Sequence, residues 1–508
     1  MQTNDRPPGR PTTAIPDSAR DACERRRWIA LVVLCAGFLM IILDQTIVNV
    51  ALPSIQRDLR FSQSSLAWVV NAYLIAFGGL LLLAGRLGDL IGRRRIFLAG
   101  LTVFTSASLA CGLAQTQALL IAARFVQGVG GAMSAAVILG MIVTMFPKSS
   151  EQAKAIGVYS FVAASGGAIG LLAGGVLTQA LNWHWIFFVN APIGITTAVF
   201  AIRLLPAEHG IGLEHGADAP GAMLLVSSLM LAIYTIVQAS HHAWGSAHTL
   251  GFGTLAALLM LGFVARQARA ATPLLPLRIF RSRTVTAANL TQAMMIAGLF
   301  GMFFLGALYL QRVLGYGPIG VGLAFLPVAL AIAVLSLGFT ARLIIRVGAI
   351  RTLVCGLVLV AAGLLLYRGA PVHAGYVRDL LPALVLIGVG AGLAFPSLMT
   401  LAMSAATPED SGLASGLVNT SQQVGGALGL AVLATIATNH TNALQAHHTP
   451  LAQSLTAGYH LAWTIAATLV LAAIPIACLL LRPATAPQQH HSTVHLEGND
   501  AAYLEEAA

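Results

Sequence analysis

Charge is what this sequence lacks most. Charged residues fill 9% of its 508 positions against 57% apolar ones, a ratio that excludes a soluble globule of this length and points to a chain whose solvent is lipid. Acids are scarcer than bases, 18 Asp and Glu against 28 Lys and Arg, for a formal charge of +10. That excess does not signal nucleic acid, because the basic residues fall in short clusters between apolar runs rather than along one amphipathic face. The five cysteines, Cys23, Cys35, Cys111, Cys355 and Cys478, are scattered without CxxC or Cys/His spacing. Neither a disulfide framework nor a zinc site is indicated. A phosphate-cradling GxxxxGK[ST] loop is also absent, so nothing in the chain reads as ATP-driven.

Long apolar runs are abundant. Fourteen stretches read as membrane helices, near 28–52, 66–84, 96–114, 119–146, 155–180, 186–205, 220–239, 248–266, 286–311, 319–341, 350–368, 379–404, 413–437 and 459–481, each about the 20 residues that a crossing needs. The expected fold class is an all-α polytopic membrane protein. An even number of spans puts both termini on one side. With that side as the cytoplasm, 22 Lys and Arg lie inside, five outside, and Arg124 within a span, which is the asymmetry that fixes membrane orientation. The Arg25-Arg26-Arg27 run resembles the start of a signal peptide, but the apolar run behind it is too long and lacks a cleavage site. It reads as an uncleaved first helix. The tails, 1–27 and 483–508, are polar and aperiodic and are expected to be disordered and cytoplasmic.

One acid breaks the apolar pattern from within. Of the 18 acidic residues only Asp44 lies well inside a span, and an ion there costs several kcal/mol, so a function is the default reading. The 25 residues from Trp28 to Leu52 rise about 1.5 Å each, enough to cross a hydrocarbon core of roughly 30 Å. Arg124, in span four, is the matching base. Asp44 lies eight residues before Leu52, and Arg124 about six past the outer end of its span, so both sit roughly 9–12 Å below the outer face. A carboxyl whose distance from a guanidinium at the same depth changes would release a proton when the two are close and take one up when they part.

Two segments repeat across the chain. Gly85 to Arg95 (GRLGDLIGRRR) follows span two, and Ala341 to Arg351 (ARLIIRVGAIR) follows span ten. Aligning Gly92 with Gly348 sets Arg95 on Arg351 and Asp89 on Ile345. The alignment implies two six-helix halves, 28–205 and 271–482, with 206–270 inserted as two further helices.

These stretches resemble the major facilitator superfamily, in particular its fourteen-helix drug:proton antiporters, over nearly all of 28–481. Leu43 to Pro53 (LDQTIVNVALP) resembles the first-helix signature; Gly85 to Arg95, the loop signature; and Arg124, Gln127, Gly128, Gly130 and Gly131, the helix-four signature. Gly157, Gly166, Gly170, Gly174 and Gly175 follow the antiporter signature of span five, with Leu171 where that pattern has a proline. Trp183 to Asn190 (WHWIFFVN) is a smaller echo.

The resemblance implies the fold and the function. It assigns proton coupling to Asp44 and Arg124. It assigns gating to Gly85, Asp89, Gly92, Arg93 and Arg94, with Asp89 capping the start of span thirteen near Ser411 while the arginines bind phosphate headgroups or carboxylates. The glycines Gly166, Gly170, Gly174 and Gly175 make a smooth strip suited to a moving interface between halves, and Leu171 should leave span five straighter than a proline would. A substrate cavity between the halves would draw on Gln45, Asn49, Gln127, Gln292, Met295, Phe303, Phe395 and Met399, where soft Met and aromatic surfaces suit varied greasy shapes. The implied activity is proton-driven export of hydrophobic or amphipathic small molecules from the inner (plasma) membrane. Symport or lipid translocation stays open because of Leu171; a receptor or intramembrane enzyme would need a nucleophile–base set that one Asp and one Arg do not make. The expected partners are a small-molecule substrate, protons and membrane lipids, with the chain acting as a monomer or beside envelope partner proteins. The outward histidines, among them His241, His242 and His440, lack Cys or carboxylate partners at ligand spacing, and no metal or cofactor is expected.

Overall fold

In lipid a backbone must satisfy its own hydrogen bonds, and apolar runs of this length do so as helices. The computed structural model describes residues 17–146, 149–206, 210, 212, 216–242, 245–404 and 411–481, and among these residues there is no strand. The long helices of the first part are α1 (Asp17–Leu59), α2 (Trp68–Ile91), α3 (Arg93–Gly112), α4 (Gln117–Met145), α5 (Ser149–Ala180), α6 (Asn190–Leu204), α7 (Ala219–His242) and α8 (Ala247–Arg269). Those of the second are α9 (Arg283–Arg312), α10 (Pro318–Val334), α11 (Ala349–Tyr367), α12 (Leu381–Ser404), α13 (Ser411–Ala446) and α14 (Leu451–Leu480).

Among the described residues, 11 helices are long and apolar enough to cross a membrane. α5 and α10 contribute shorter apolar stretches, Ile169–Ala180 and Pro318–Val334. α13 is 36 residues long but carries the polar run Asn419 to Gln423. α1 begins at Asp17, inside the stretch expected to be a disordered tail. The reason is chemical: residues 17–27 are charged but form helices well. The rest of both tails, 1–16 and 482–508, lies outside the described residues.

Small polar residues set the helix starts. Thr116, Ser246 and Ser282 each accept a bond from a backbone N–H three residues on, Leu119, Thr249 and Val285, at 3.2, 3.2 and 3.4 Å, relieving the orphan donors of α4, α8 and α9. Glycine sets the junctions. Gly92 between α2 and α3 has φ 112°, and Gly348, ahead of α11, has φ 92°, a conformation costly for any residue with a Cβ. These are the two glycines that the sequence aligns. A second likeness lies deeper: a Cβ on Gly100 or Gly130 would come within 2.8 Å of the other's carbonyl oxygen, and one on Gly356 or Gly390 within 2.6 or 2.5 Å. α3 therefore crosses α4, and α11 crosses α12, backbone to backbone.

The first six helices meet the last six along three seams. At the end opposite the basic clusters, Gln311 Nε2 donates to the Val50 carbonyl at 3.0 Å, joining α9 to α1. The Ile319 N–H donates to Gln179 Oε1 at 3.2 Å, joining α10 to α5. Between α2 and α13, Thr420 Oγ1 donates to the Gly78 carbonyl at 3.1 Å. α7 packs against both α2 and α13, with Val226 filling the space above Gly79. Its base is tied by Asp218, which takes bonds from the Gly221 N–H, Arg266 Nε and Gln267 Nε2 at 2.9, 2.5 and 2.6 Å.

Candidate functional site

Asp44 and Arg124, the acid and the base set deep in their spans, touch. Asp44 Oδ2 lies 2.6 Å from Arg124 Nη1, with the two side chains 0% and 1% exposed. Desolvating such a pair is repaid only where geometry is good and further hydrogen bonds satisfy its polar atoms, and here the neighbours supply four. Gln127 Nε2 and Asn190 Nδ2 donate to Asp44 Oδ1 at 2.8 and 3.1 Å. Arg124 also donates from Nη1 to Gln127 Oε1 at 2.8 Å and from Nε to the Val69 carbonyl at 2.9 Å. The guanidinium lies 4.4 Å from the Tyr73 ring centre, a placement that cations favour.

A further ring holds these groups. Asn190 Nδ2 donates to Ser108 Oγ at 3.0 Å, and Ser108 Oγ donates to the Phe187 carbonyl at 2.9 Å. Cys111 Sγ approaches Gln127 Oε1 at 3.5 Å. The carboxylate comes from α1, the guanidinium and Gln127 from α4, Asn190 from α6, Ser108 and Cys111 from α3, and the Val69 carbonyl from α2. Moving α1, α2, α4 or α6 therefore disturbs a bond of the pair itself, and moving α3 disturbs the bonds that hold Asn190 and Gln127.

Asn190, Ser108 and Cys111 were not among the expected site residues. Gln127, expected on the cavity wall, belongs to the ion-pair cluster because both its amide atoms are spent on Asp44 and Arg124. Met295 is fully buried, packed in the apolar core. Gln292, nearly buried, donates to Gln422 Oε1 at 3.3 Å. Gln45 and Asn49 on α1, Phe303 on α9, and Phe395 and Met399 on α12 keep part of their surface, as groups facing a cleft would.

The glycine strip divides its contacts. A Cβ on Gly166 would meet Ile42 at 2.8 Å and one on Gly174 the Ile47 carbonyl at 2.7 Å, and Gly170 faces Thr46, so these three lie against α1. Only Gly175 reaches across, to Ile319 at 2.8 Å. Three of the four strip glycines thus receive α1, while α5 itself meets α10 of the last six helices through Gly175. α5 runs unbroken through Leu171, whose carbonyl abuts Gly322 of α10.

At the basic end, Asp89 pairs with Arg93 Nη2 at 3.1 Å. Arg93 Nη1 also reaches the Gly140 carbonyl at 3.4 Å, and Arg94 donates to the Ile202 carbonyl. Gly85 has open space around it, with Ala136 Cβ at 3.9 Å. The expected partner of Asp89, the start of α13, adjoins residues 405–410, which lie outside the described residues, as do the side chains of 411–415.

Known proteins resemble this chain in sequence and in fold. A profile of the Major Facilitator Superfamily matches residues 34–430. The puromycin resistance protein pur8 of Streptomyces alboniger is 42% identical over 426 residues, covering 83% of this chain and 84% of that one. The cephamycin export protein CmcT of Amycolatopsis lactamdurans is 40% identical over 419 residues, covering 81% and 85%. Among solved structures, a peptide transporter in complex with sulfate superposes with a TM-score of 0.64 at 15% identity, covering 89% of this chain and 95% of that one. A bacterial homologue of the human lysosomal transporter Spinster, inward-facing and occupied, gives 0.63 at 14%, covering 89% and 96%.

Proposed function

The chain belongs to the Major Facilitator Superfamily, and from that premise we propose that it exports amphipathic small molecules in exchange for protons. The observation that carries the reading is the sealed Asp44–Arg124 pair. Its charges cancel, so this conformation holds no net charge in the bilayer. A buried ion pair adds little to stability over an apolar contact of the same size, so its presence suits a working role better than a structural one. In the exchange cycle, substrate entry parts the two groups, the freed carboxyl takes a proton from outside, and re-pairing with Arg124 expels it inward.

The far end of the bundle is closed by the Gln311–Val50 and Ile319–Gln179 bonds, which fits the step in which the proton leaves inward. Substrate would then contact Gln45, Asn49, Phe303, Phe395 and Met399, with Gln292 beside them. α5, α10 and α13, added to the 11 apolar helices, would complete fourteen spans, with the basic end and both termini in the cytoplasm by the distribution of Lys and Arg. Asp89, Arg93 and Arg94 would form the inner gate and exchange their present partners as the bundle opens.

Resistance and export relatives support natural-product antibiotics as the substrate class. Charge narrows it further. A dication in a low-dielectric cavity needs several acids to offset its desolvation, and the spans hold one, which also carries the proton. Inhibition of growth by matched neutral, monocationic and dicationic compounds, with and without the protein, tests this. Protection is expected against the first two; stronger protection against the dications would overturn it.

A further inference from the structure

Away from the ion pair, the basic end of the bundle holds a cavity of about 300 Å³ between the start of α1 and the ends of α4 and α6, lined by Arg26, Arg27, Ala30, Thr144, Met145 and Leu204. That is the lower end of the size range of small-molecule sites. Its floor is apolar and its rim carries guanidinium groups. Arg26 Nη2 donates to the Arg203 carbonyl at 3.1 Å, and Arg27 Nη1 to the Met145 carbonyl at 3.4 Å, with Glu151 also 3.4 Å from Arg27.

Charge bookkeeping favours an anion here. The guanidinium groups of Arg26, Arg27 and Arg94 reach backbone carbonyls at two helix ends, each end worth about half a negative charge. With the carboxylate of Glu151 paired to Arg27, about one positive charge remains in excess. A second observation is independent of that sum. Arg27 Nε–H is shut away from solvent and has no acceptor, an arrangement that costs free energy until an anionic oxygen arrives. The level is that of lipid headgroups: Trp28 follows directly and packs on Phe146 with ring centres 5.0 Å apart, and tryptophans concentrate at the membrane–water boundary.

We propose that this cavity binds the phosphate headgroup of an anionic phospholipid, held by Arg26 and Arg27. The apolar floor and the depth of Trp28 favour a lipid over free phosphate. Binding would fix the start of α1, the helix that carries Asp44, against α4, which carries Arg124.

The test uses the full-length protein, purified and offered phosphatidylglycerol or phosphatidylcholine, with retained lipid counted by native mass spectrometry. Each guanidinium near an anionic headgroup is worth about fivefold in retention, so the Arg26→Gln/Arg27→Gln variant should lose about 25-fold for phosphatidylglycerol and little for phosphatidylcholine. Should that variant fail to fold, Thr144→Trp fills the cavity without removing charge and should lower phosphatidylglycerol retention while leaving phosphatidylcholine unchanged. Equal retention of the two lipids by the unmodified protein, or undiminished retention in the variant that folds, would overturn the proposal. So would displacement of the lipid by millimolar inorganic phosphate, which would mark a free-anion site instead.

Discussion

Replacing Asp44 by Asn would leave Arg124 in place, 1% exposed, with the Gln127 and Val69 oxygens as its remaining acceptors. A buried charge stripped of its counter-ion costs about 3–5 kcal/mol. Scaling the behaviour of smaller domains by chain length gives about 1–2 °C of melting temperature per kcal/mol, so the single variant should melt about 3–10 °C lower. Arg124→Gln alone should also destabilise. The double variant Asp44→Asn/Arg124→Gln removes both charges and leaves amides that can bond to Gln127 and Asn190. Groups in one network couple by about 0.5–3 kcal/mol, so the double variant should melt above the sum of the two single losses, and above Asp44→Asn alone. Intrinsic-fluorescence melts of the four purified proteins measure this cycle. Losses that simply add would mean that the 2.6 Å contact carries no coupling, and the account of the pair would fail.

Two further predictions concern the framework. Burial pulls the Asp218 carboxyl upward, but its bonds from Arg266, Gln267 and the Gly221 N–H pull harder, so it lies below the usual carboxylate range. Its contribution is then present above the unfolded-state value near 3.9 and lost as pH falls through the folded-state value. Asp218→Asn should cost about 1–2 kcal/mol at pH 7, and the gap to the unmodified protein should narrow in melts below about pH 4. A gap that stays constant with pH would refute the ionic role. Gly92, at φ 112°, should lose about 1–2 kcal/mol on replacement by Ala, whereas Gly85→Ala, with its nearest neighbour at 3.9 Å, should leave the melting temperature unchanged; equal effects at the two sites would contradict the backbone argument.

The pairing of Asp44 with Arg124 was legible because one acid and one base at equal depth in lipid have few alternatives to each other. The junction glycines were legible too, since two matched loops place Gly92 on Gly348. Asn190 was missed for a physical reason: amides are frequent in the spans, and nothing marks which one turns inward. Depth would have found it. It lies seven residues past Trp183, whose Nε1 bonds Asp58 at the far end, and is therefore about 10 Å down, level with the pair. The glycine strip was legible only in part, because small residues announce a close approach without naming the helix that approaches. Gly166, Gly170 and Gly174 receive α1, and only Gly175 meets the other half. The early start of α1 was hidden because apolar length, the signal of a span, says nothing about a charged helix that continues beyond it.

Proton coupling through Asp44 is tested most directly in proteoliposomes carrying either the unmodified protein or Asp44→Asn. Two fluxes are measured for one substrate: accumulation against its gradient under an imposed pH difference, and downhill exchange with no pH difference. The unmodified protein should support both, and Asp44→Asn should lose accumulation while keeping exchange. If Asp44→Asn still concentrates substrate, the proton travels by another route and the buried pair is not the coupling site.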